Sequence, residues 1–348
     1  LSHALSNAAR VLINQYIARV AELNGVTVAD VEKSFVASPS IQQTLWQKVQ
    51  ESSAFLTRVN MPIVAEMSAE LIGMGIAGTI SGRTNTDTTD RLGTDPGTVD
   101  NRTYDCKFTE FDVSLKWAKL DMWAKFPNFQ IMWATLVANQ IALELIMVGW
   151  HGTSAAAATN RVNNPLLQDV NIGWLQKQRT ENAARVLDEG EDEAGKVTYG
   201  THADADYKSL DSLVYDARHT LLPAWAKNDT NLVAICNSGL LHDKYFPLVN
   251  KDQDAQNTLA TDIILSSKRL GGLQAVEVPH FPDGKIFITR FDNLSIYQQE
   301  GKNRRHIIDN PKRSRIEDYQ SMNLAYVIED LDFAVLIENI EVHDAAAV

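Results

Sequence analysis

The sequence predicts an α+β fold in which one long apolar helix lies against a β-layer and an extended hairpin projects from the body. Three stretches carry that expectation: a helix from about Asn128 to Gly149, an alternating run just before it, and two alternating runs near the C-terminus.

The helix comes first because its polar positions are so few. Asn128, Thr135 and Asn139 fall within about 40° of one another on a helical wheel, and Gln130, Gln140 and Glu144 are the other interruptions. Phe129, Met132, Trp133, Leu136, Val137, Ile141, Leu143, Leu145, Ile146 and Met147 cover nearly every remaining direction. A helix this apolar is covered on more than one side. It spans roughly 33 Å, and its polar groups make it a poor membrane span. Pro127 suits a first helical position, or Asn128 serves as the cap. The central helix of an α/β enzyme would show the same pattern.

Upstream, Phe111, Val113, Leu115 and Trp117 alternate with Asp112, Ser114, Lys116 and Ala118, the period of a half-buried strand. Residues 62–120 read as a large hairpin. Ile63 to Met67 and Leu71 to Ile80 supply one arm and Phe108 to Trp117 the other. The connection from Ser81 to Asp105 is polar, with a turn signal at Asp95-Pro96-Gly97. Connections this long are usually functional or mobile, and a lone two-stranded hairpin is marginal in water. Such a ribbon needs a surface. An identical neighbouring chain and an enzyme's own cleft both supply one.

Near the C-terminus, Met322, Leu324, Tyr326 and Ile328 alternate with Asn323, Ala325, Val327 and Glu329. After Asp330, Phe333, Val335, Ile337 and Asn339 alternate with Ala334, Leu336, Glu338 and Ile340. Two long adjacent strands here would form the layer that receives the helix.

The remaining chain fills in around these parts. An amphipathic helix ends at Asn24-Gly25, a short one starts near Thr27 or Asp30, and a third runs from Ile41 to about Leu56. They read as an arm lying on the body or on a neighbour. Residues 151–205 are mixed, with a helix at Ile172 to Arg179. The acidic run Asp188 to Glu193 reads as a solvated turn, since it lacks calcium-loop spacing. Residues 206–300 have α/β character. Helices are expected at Ser209 to Leu222, Gly239 to Val249 and Thr258 to Leu265. Strands are expected at Leu232 to Cys236, Ala275 to Val278, Lys285 to Thr289 and Leu294 to Tyr297.

Composition narrows the function. The 348 residues are 45% hydrophobic and 22% charged, with a formal net charge of −12. That describes a packed globular protein, and its surface as a whole is unsuited to binding nucleic acid. Cys106 and Cys236 are far apart and lack metal-ligand spacing, which fits a reducing compartment. No signal peptide or lipidation motif is visible, and the first residue is Leu1.

Signals for chemistry are weak. Gly73 to Gly78 reads Gly-x-Gly-x-x-Gly, but a polar, Thr-rich stretch follows where a dinucleotide site needs a helix. Glycines in a flat strand explain it better. The eight histidines are scattered, and there is neither a phosphate-cradling loop nor a Gly-x-Ser-x-Gly elbow. No catalytic residue, metal or cofactor is therefore expected. A basic cluster, Lys302, Arg304, Arg305, Lys312, Arg313 and Arg315, stands out in an acidic chain. Salt bridges to acidic neighbouring subunits account for it better than a nucleic-acid contact.

The order of parts, together with long idiosyncratic stretches, resembles the major capsid proteins of temperate contractile-tailed bacteriophages, the P-two group. The stretches are Arg19–Gly25, Gln50–Arg58, Asn164–Val170, Gly173–Lys177, Asp243–Pro247, Asp292–Tyr297 and Ser321–Leu324. They run almost the whole length, with departures at Ser81 to Asn101 and Asp188 to His202.

The resemblance implies the Hong Kong-type tailed-phage capsid fold. Its parts would be an N-terminal helical arm (1–60), an extended hairpin or E-loop (61–120), a peripheral domain with the spine helix (121–205), an axial domain (206–300) and a return to the peripheral β-layer (301–348). It implies a non-enzymatic virion shell of identical subunits in hexamers and pentamers around double-stranded DNA, assembled in the bacterial host cytoplasm. Scaffolding protein, a maturation protease, portal and decoration proteins are the further partners it implies, with no membrane. In the family the protease commonly trims the N-terminal segment. With residues through Phe35 present, either no trimming falls between Leu1 and Phe35 or the numbering begins after it. The expected inter-subunit contacts are Arg83, Arg91 and Asp95 on the hairpin tip and Arg304, Arg305 and Arg313 in the basic cluster. The leading arm and the ribbon are expected to be covered by identical copies, and deletion of residues 82–104 to prevent closed shells. An encapsulin-like compartment holding cargo enzymes shares the fold and is the alternative. A hydrolase with a lid at 81–105 is the other.

Overall fold

The computed structural model describes residues 6–33, 35–37, 39–71, 74–76, 81–93, 97–99, 102–123, 126, 128–191, 194–249 and 268–344. Pro127 and the helix expected at Thr258 to Leu265 lie outside them.

Two sheets organise the chain. The larger has seven strands and is built around Arg315–Ile328, 14 residues long. Arg304–Asn310 and Leu294–Gln299 pair antiparallel along one side of it, from Asn310↔Arg315 to Leu294↔Ile328. Val113–Lys116 and Lys107–Glu110 pair antiparallel along the other. The long strand can be buried on both faces because its sequence is apolar on both. Met322, Leu324 and Tyr326 face the spine helix, and Ala325 and Val327 face the opposite way, toward Leu71 and Tyr104.

The smaller sheet has six strands in the order Arg269–Leu270, Leu273–Glu277, Val233–Cys236, Ile286–Thr289, Val335–Ile337 and Val186–Leu187. Its central strands are buried at every residue. Alternation explains how. Val233, Ile235, Phe287 and Leu336 join the core of the spine helix. Ala234, Cys236, Ile288 and Val335 turn the other way, beneath the helices Leu210–Leu221 and Ser238–Val249. Near-continuous apolar runs are what a doubly covered sheet requires.

The spine helix is Phe129–His151, 23 residues. Its buried side carries Val137, Ile141, Leu145, Ile146 and Trp150, packed with Trp174, Tyr326 and Phe55. By length and composition alone Ile131–His151 would pass for a membrane span, but this core-facing side shows it to be part of a packed body. The other side is open within the chain. Ile131 is 70% exposed, Leu136 52% and Met132 44%.

Three expectations need correction. Phe108 to Trp117 is not the second arm of the hairpin. The ribbon pairs Ser68–Glu70 with Thr103–Asp105 and Met74–Ile76 with Gly97–Val99, while Lys107–Glu110 and Val113–Lys116 join the large sheet. Ile63–Val64 also lies in that sheet, parallel to Leu294–Gln299. Period-two alternation marks a strand without naming its partner.

Nor are the two C-terminal runs neighbours. Asp330 accepts from the Asp332 amide at 2.8 Å and turns the chain through Leu331–Phe333. Arg315–Ile328 thus stays in the large sheet and Val335–Ile337 enters the small one.

Finally, the leading arm finds its cover on its own chain. Helix Asn7–Asn24 buries Ala9, Leu12, Ile13, Ile17, Val20 and Ala21 in a cluster with Leu115, Leu120, Phe129, Ile307 and Ile316. The helix is well bounded: Ser6 Oγ accepts from the Ala9 amide at 3.2 Å, and Gly25 closes it in the left-handed region at φ 61°, where a side chain would be strained.

Candidate subunit interface

The ribbon has a seated base and a free tip. At the base, Leu71, Tyr104 and Cys106 are buried against Ala325 and Val327, and Tyr104 meets Tyr297 edge-on with centroids 5.1 Å apart. Burial pushes the Cys106 thiol up to about 11. Arg102 donates from Nη1 to the Ile328 carbonyl and from Nη2 to the Glu329 carbonyl, both at 2.8 Å, and lies 3.5 Å from Glu181. These contacts fix where the ribbon leaves the body.

The tip is different. Residues 81–93 are exposed throughout, and their hydrogen bonds are local. The Asn85 side chain accepts from the Asp87 amide at 3.1 Å, and its carbonyl from the Thr89 amide at 3.0 Å. Leu92 is 90% exposed. Arg83 and Arg91 stand here, exposed and without an ion pair among the described residues. Asp95 lies outside the described residues.

The basic cluster is divided by the strand that carries it. Arg304 and Arg305 adjoin in Arg304–Asn310, so their side chains leave on opposite faces. Arg304 is exposed. Arg305 turns inward, donating from Nε to Asp318 Oδ1 at 2.9 Å and from Nη2 to Oδ2 at 2.6 Å, and also to the Tyr16 hydroxyl. Its side chain is only 16% exposed. Arg315 pairs with Glu317 at 2.5 Å. Lys312 and Arg313 sit in the exposed turn Pro311–Arg313. The structure therefore leaves Arg304, Lys312 and Arg313 outward, while Arg305 is engaged with Asp318 and Tyr16 inside its own subunit.

Sequence reasoning passed over the open side of the spine helix. Met132, Leu136 and Leu143 repeat at helical spacing and lie exposed with Ile131 and Phe126. The signal was present: an all-round apolar helix in a single chain needs more cover than one sheet provides. An exposed apolar stripe of this kind marks a contact surface. No group of three or more His, Cys, Asp or Glu side chains among the described residues is placed to hold a metal ion.

Comparison with known proteins places this architecture. The family model for the phage major capsid protein, P2 family, matches residues 12–340. The capsid protein of Escherichia phage P2 is 44% identical over 339 residues, 96% of this chain and 95% of that protein. The major capsid protein of Serratia phage KSP20 is 37% identical over 344 residues, 97% of each. A chain of the satellite phage P4 procapsid, solved with its size determination (Sid) protein, superposes with a TM-score of 0.81 at 40% identity, covering 98% of this chain and 99% of that one. The fold is thus that of the tailed-phage major capsid proteins. Both the enzyme with a lid and the cargo compartment give way to a structural component of the virion shell, built of many identical subunits. With nearly its whole length matched, the chain belongs to the P2 family of phage major capsid proteins.

Proposed function

We propose that this subunit closes into hexamers and pentamers of an icosahedral shell around packaged double-stranded DNA, in the cytoplasm of a bacterial host. The single observation that supports this most directly is the ribbon. Its base is bolted to the body through Arg102 and Tyr104, while every described residue of its tip is exposed. A ribbon held that way is shaped to lie on a second copy. The division into arm (1–60), E-loop (61–120), peripheral domain (121–205), axial domain (206–300) and returning β-layer (301–348) follows the same reading. So do contacts through Arg83, Arg91, Arg304 and Arg313, where charge pairing would set register more than affinity. Scaffolding protein, a maturation protease, portal and decoration proteins complete the expected partners.

The test is a deletion. Removing residues 82–104 would also remove Arg102 and Tyr104 and so unseat the base. Removing 81–93 alone takes away only the free tip. The shortened chain is expected to remain soluble and folded by circular dichroism and to give no closed particles by electron microscopy. Normal particles would refute the ribbon's role.

A further inference from the structure

We propose that His151, the last residue of the spine helix, is an acid-sensitive catch: neutral, it holds the loop 278–284 in a strained turn, and protonation lets that loop go. The catch lies within one subunit and is independent of how copies contact one another. The loop joins strands Leu273–Glu277 and Ile286–Thr289 of the smaller sheet. Pro279 and Pro282 fix φ at about −65° on either side of His280 and Phe281. The turn is made at His280, with φ 58°, uncommon for a residue with a side chain. Gly284 is left-handed too, at φ 63°, but a glycine takes that conformation freely. The strain therefore sits at His280, and strain of this kind gathers at switch regions.

Contacts from two other elements hold the turn. The His280 carbonyl oxygen lies 2.7 Å from His151 Nε2. A carbonyl only accepts, so Nε2 carries a proton and donates it. Trp150, beside His151, meets Phe281 edge-on with centroids 5.0 Å apart. Asn237 donates from Nδ2 to the Phe281 carbonyl at 3.0 Å. The ring packing and the amide bond do not titrate. Imidazole is the side chain whose charge ordinarily changes between pH 5 and 8, so His151 is the contact that can be switched.

The surroundings favour the neutral ring. Burial, the largest influence, holds the His151 imidazole below its ordinary value of 6.5. The bond to the His280 carbonyl works the other way, the His280 ring and Lys285 lower it further, and Asp283 raises it. Both of the charged neighbours are engaged. Lys285 donates to Glu338, which also accepts from Arg179, and Asp283 accepts from Asn237.

The held state thus takes up a proton less readily than the released one. A histidine depressed in this way contributes stability that is fully present above its ordinary value and is lost as pH falls through the lowered one. The end of the spine helix and the smaller sheet are therefore tied firmly at neutral pH and loosely in mild acid.

Hydrogen exchange of the full chain, followed by mass spectrometry from pH 7.5 to 5.5 and corrected for intrinsic rates, reads the catch. Protection of the segment 278–287 is expected to fall about threefold or more across that range. The buried strand Val233–Cys236 should keep its protection. His151→Gln retains a donor for the His280 carbonyl and cannot titrate, so its loop is expected to show the same protection at every pH. His280→Gly relieves the turn itself, and its fall is expected to begin at lower pH. Equal protection at both ends of the range in the parent would overturn the catch. So would a parental fall that persists in His151→Gln, or a parallel fall at Val233–Cys236, which would mean that the whole subunit opens. Should His151→Gln not fold, His280→Gly decides: a fall at the parental pH overturns the catch, and a fall displaced to lower pH supports it.

Discussion

Arg305 and Asp318 meet through two parallel contacts inside the subunit, and Tyr16 of the arm helix donates to the same carboxylate at 3.2 Å. The Asp318 side chain is 5% exposed. One ion pair thus joins two antiparallel strands of the large sheet and fastens the N-terminal arm across them. The apolar side of the arm supplies the bulk of the docking; the ion pair fixes its position.

Arg305→Met should loosen that arm. Taking one partner from a buried pair leaves the other uncompensated, at about 3 kcal/mol or somewhat more. Asp318 and the Tyr16 hydroxyl would both lose their cation. Thermal unfolding is expected to begin earlier, and limited proteolysis to cut first near residues 25–40. The Arg305→Met, Asp318→Leu double variant should recover part of the loss. Equal stability of parent and single variant would show that the pair contributes nothing.

Gly149→Ala should be costly for a different reason. A Cβ there would lie 2.3 Å from a ring carbon of Trp174. Trp174 is fully buried and cannot retreat, since Trp150, Tyr326 and Phe55 crowd its ring. Overpacking of this kind costs about 1–3 kcal/mol. The midpoint of urea unfolding is expected to drop accordingly. Gly82→Ala, where nothing lies within 4 Å, should leave it unchanged.

Local periodicity carried the sequence reading well and strand pairing carried it badly. The spine helix was legible because apolar residues at every helical phase leave no other regular structure. The second half of Arg315–Ile328, from Met322 on, was legible from two-residue alternation. The partner of Phe108 to Trp117 was not, because a ribbon arm and a sheet strand alternate alike. Asp330 hid a change of sheet for a related reason: the residues after it keep the same period. At the ribbon tip, Arg83 and Arg91 were readable as exposed from their polar surroundings. The split of Arg304 from Arg305 needed the strand's facing, which only the register with Ser321 and Gln320 supplies. A cleft lined by the spine helix and strand Lys107–Glu110 joins segments over 200 residues apart in sequence, from Phe108 to Leu324, and no local pattern announces it.

The two thiols should be inert in the native subunit. Burial, then nearby carboxylates, push Cys106 up to about 11 and Cys236 up to about 12. At pH 8 the thiolate fraction is then on the order of a thousandth or less. Iodoacetamide is expected to label neither in the folded protein and both in urea. Rapid stoichiometric labelling of native protein would mean that the ribbon base opens readily.

Glu338 should govern part of the acid limit of stability. It accepts from Arg179 at 2.7 Å and 2.5 Å and also from Lys285. Burial raises its carboxyl, but the two cations together outweigh that and leave it below its ordinary value of 4.5. A carboxyl depressed by folding contributes stability that is fully present above the unfolded value and is lost as pH falls through the folded one. The loss should therefore set in below about pH 4.5 and grow toward lower pH. Glu338→Gln removes the charge and nearly keeps the shape. It is expected to lower stability at pH 7 by about 2 kcal/mol, since Arg179 and Lys285 lose their anion. It should also flatten the acid limb, because one proton fewer is taken up on unfolding's approach. Chemical denaturation at several pH values from 3 to 7 measures both effects, and an acid limb as steep in the variant as in the parent would show that Glu338 is not the group responsible.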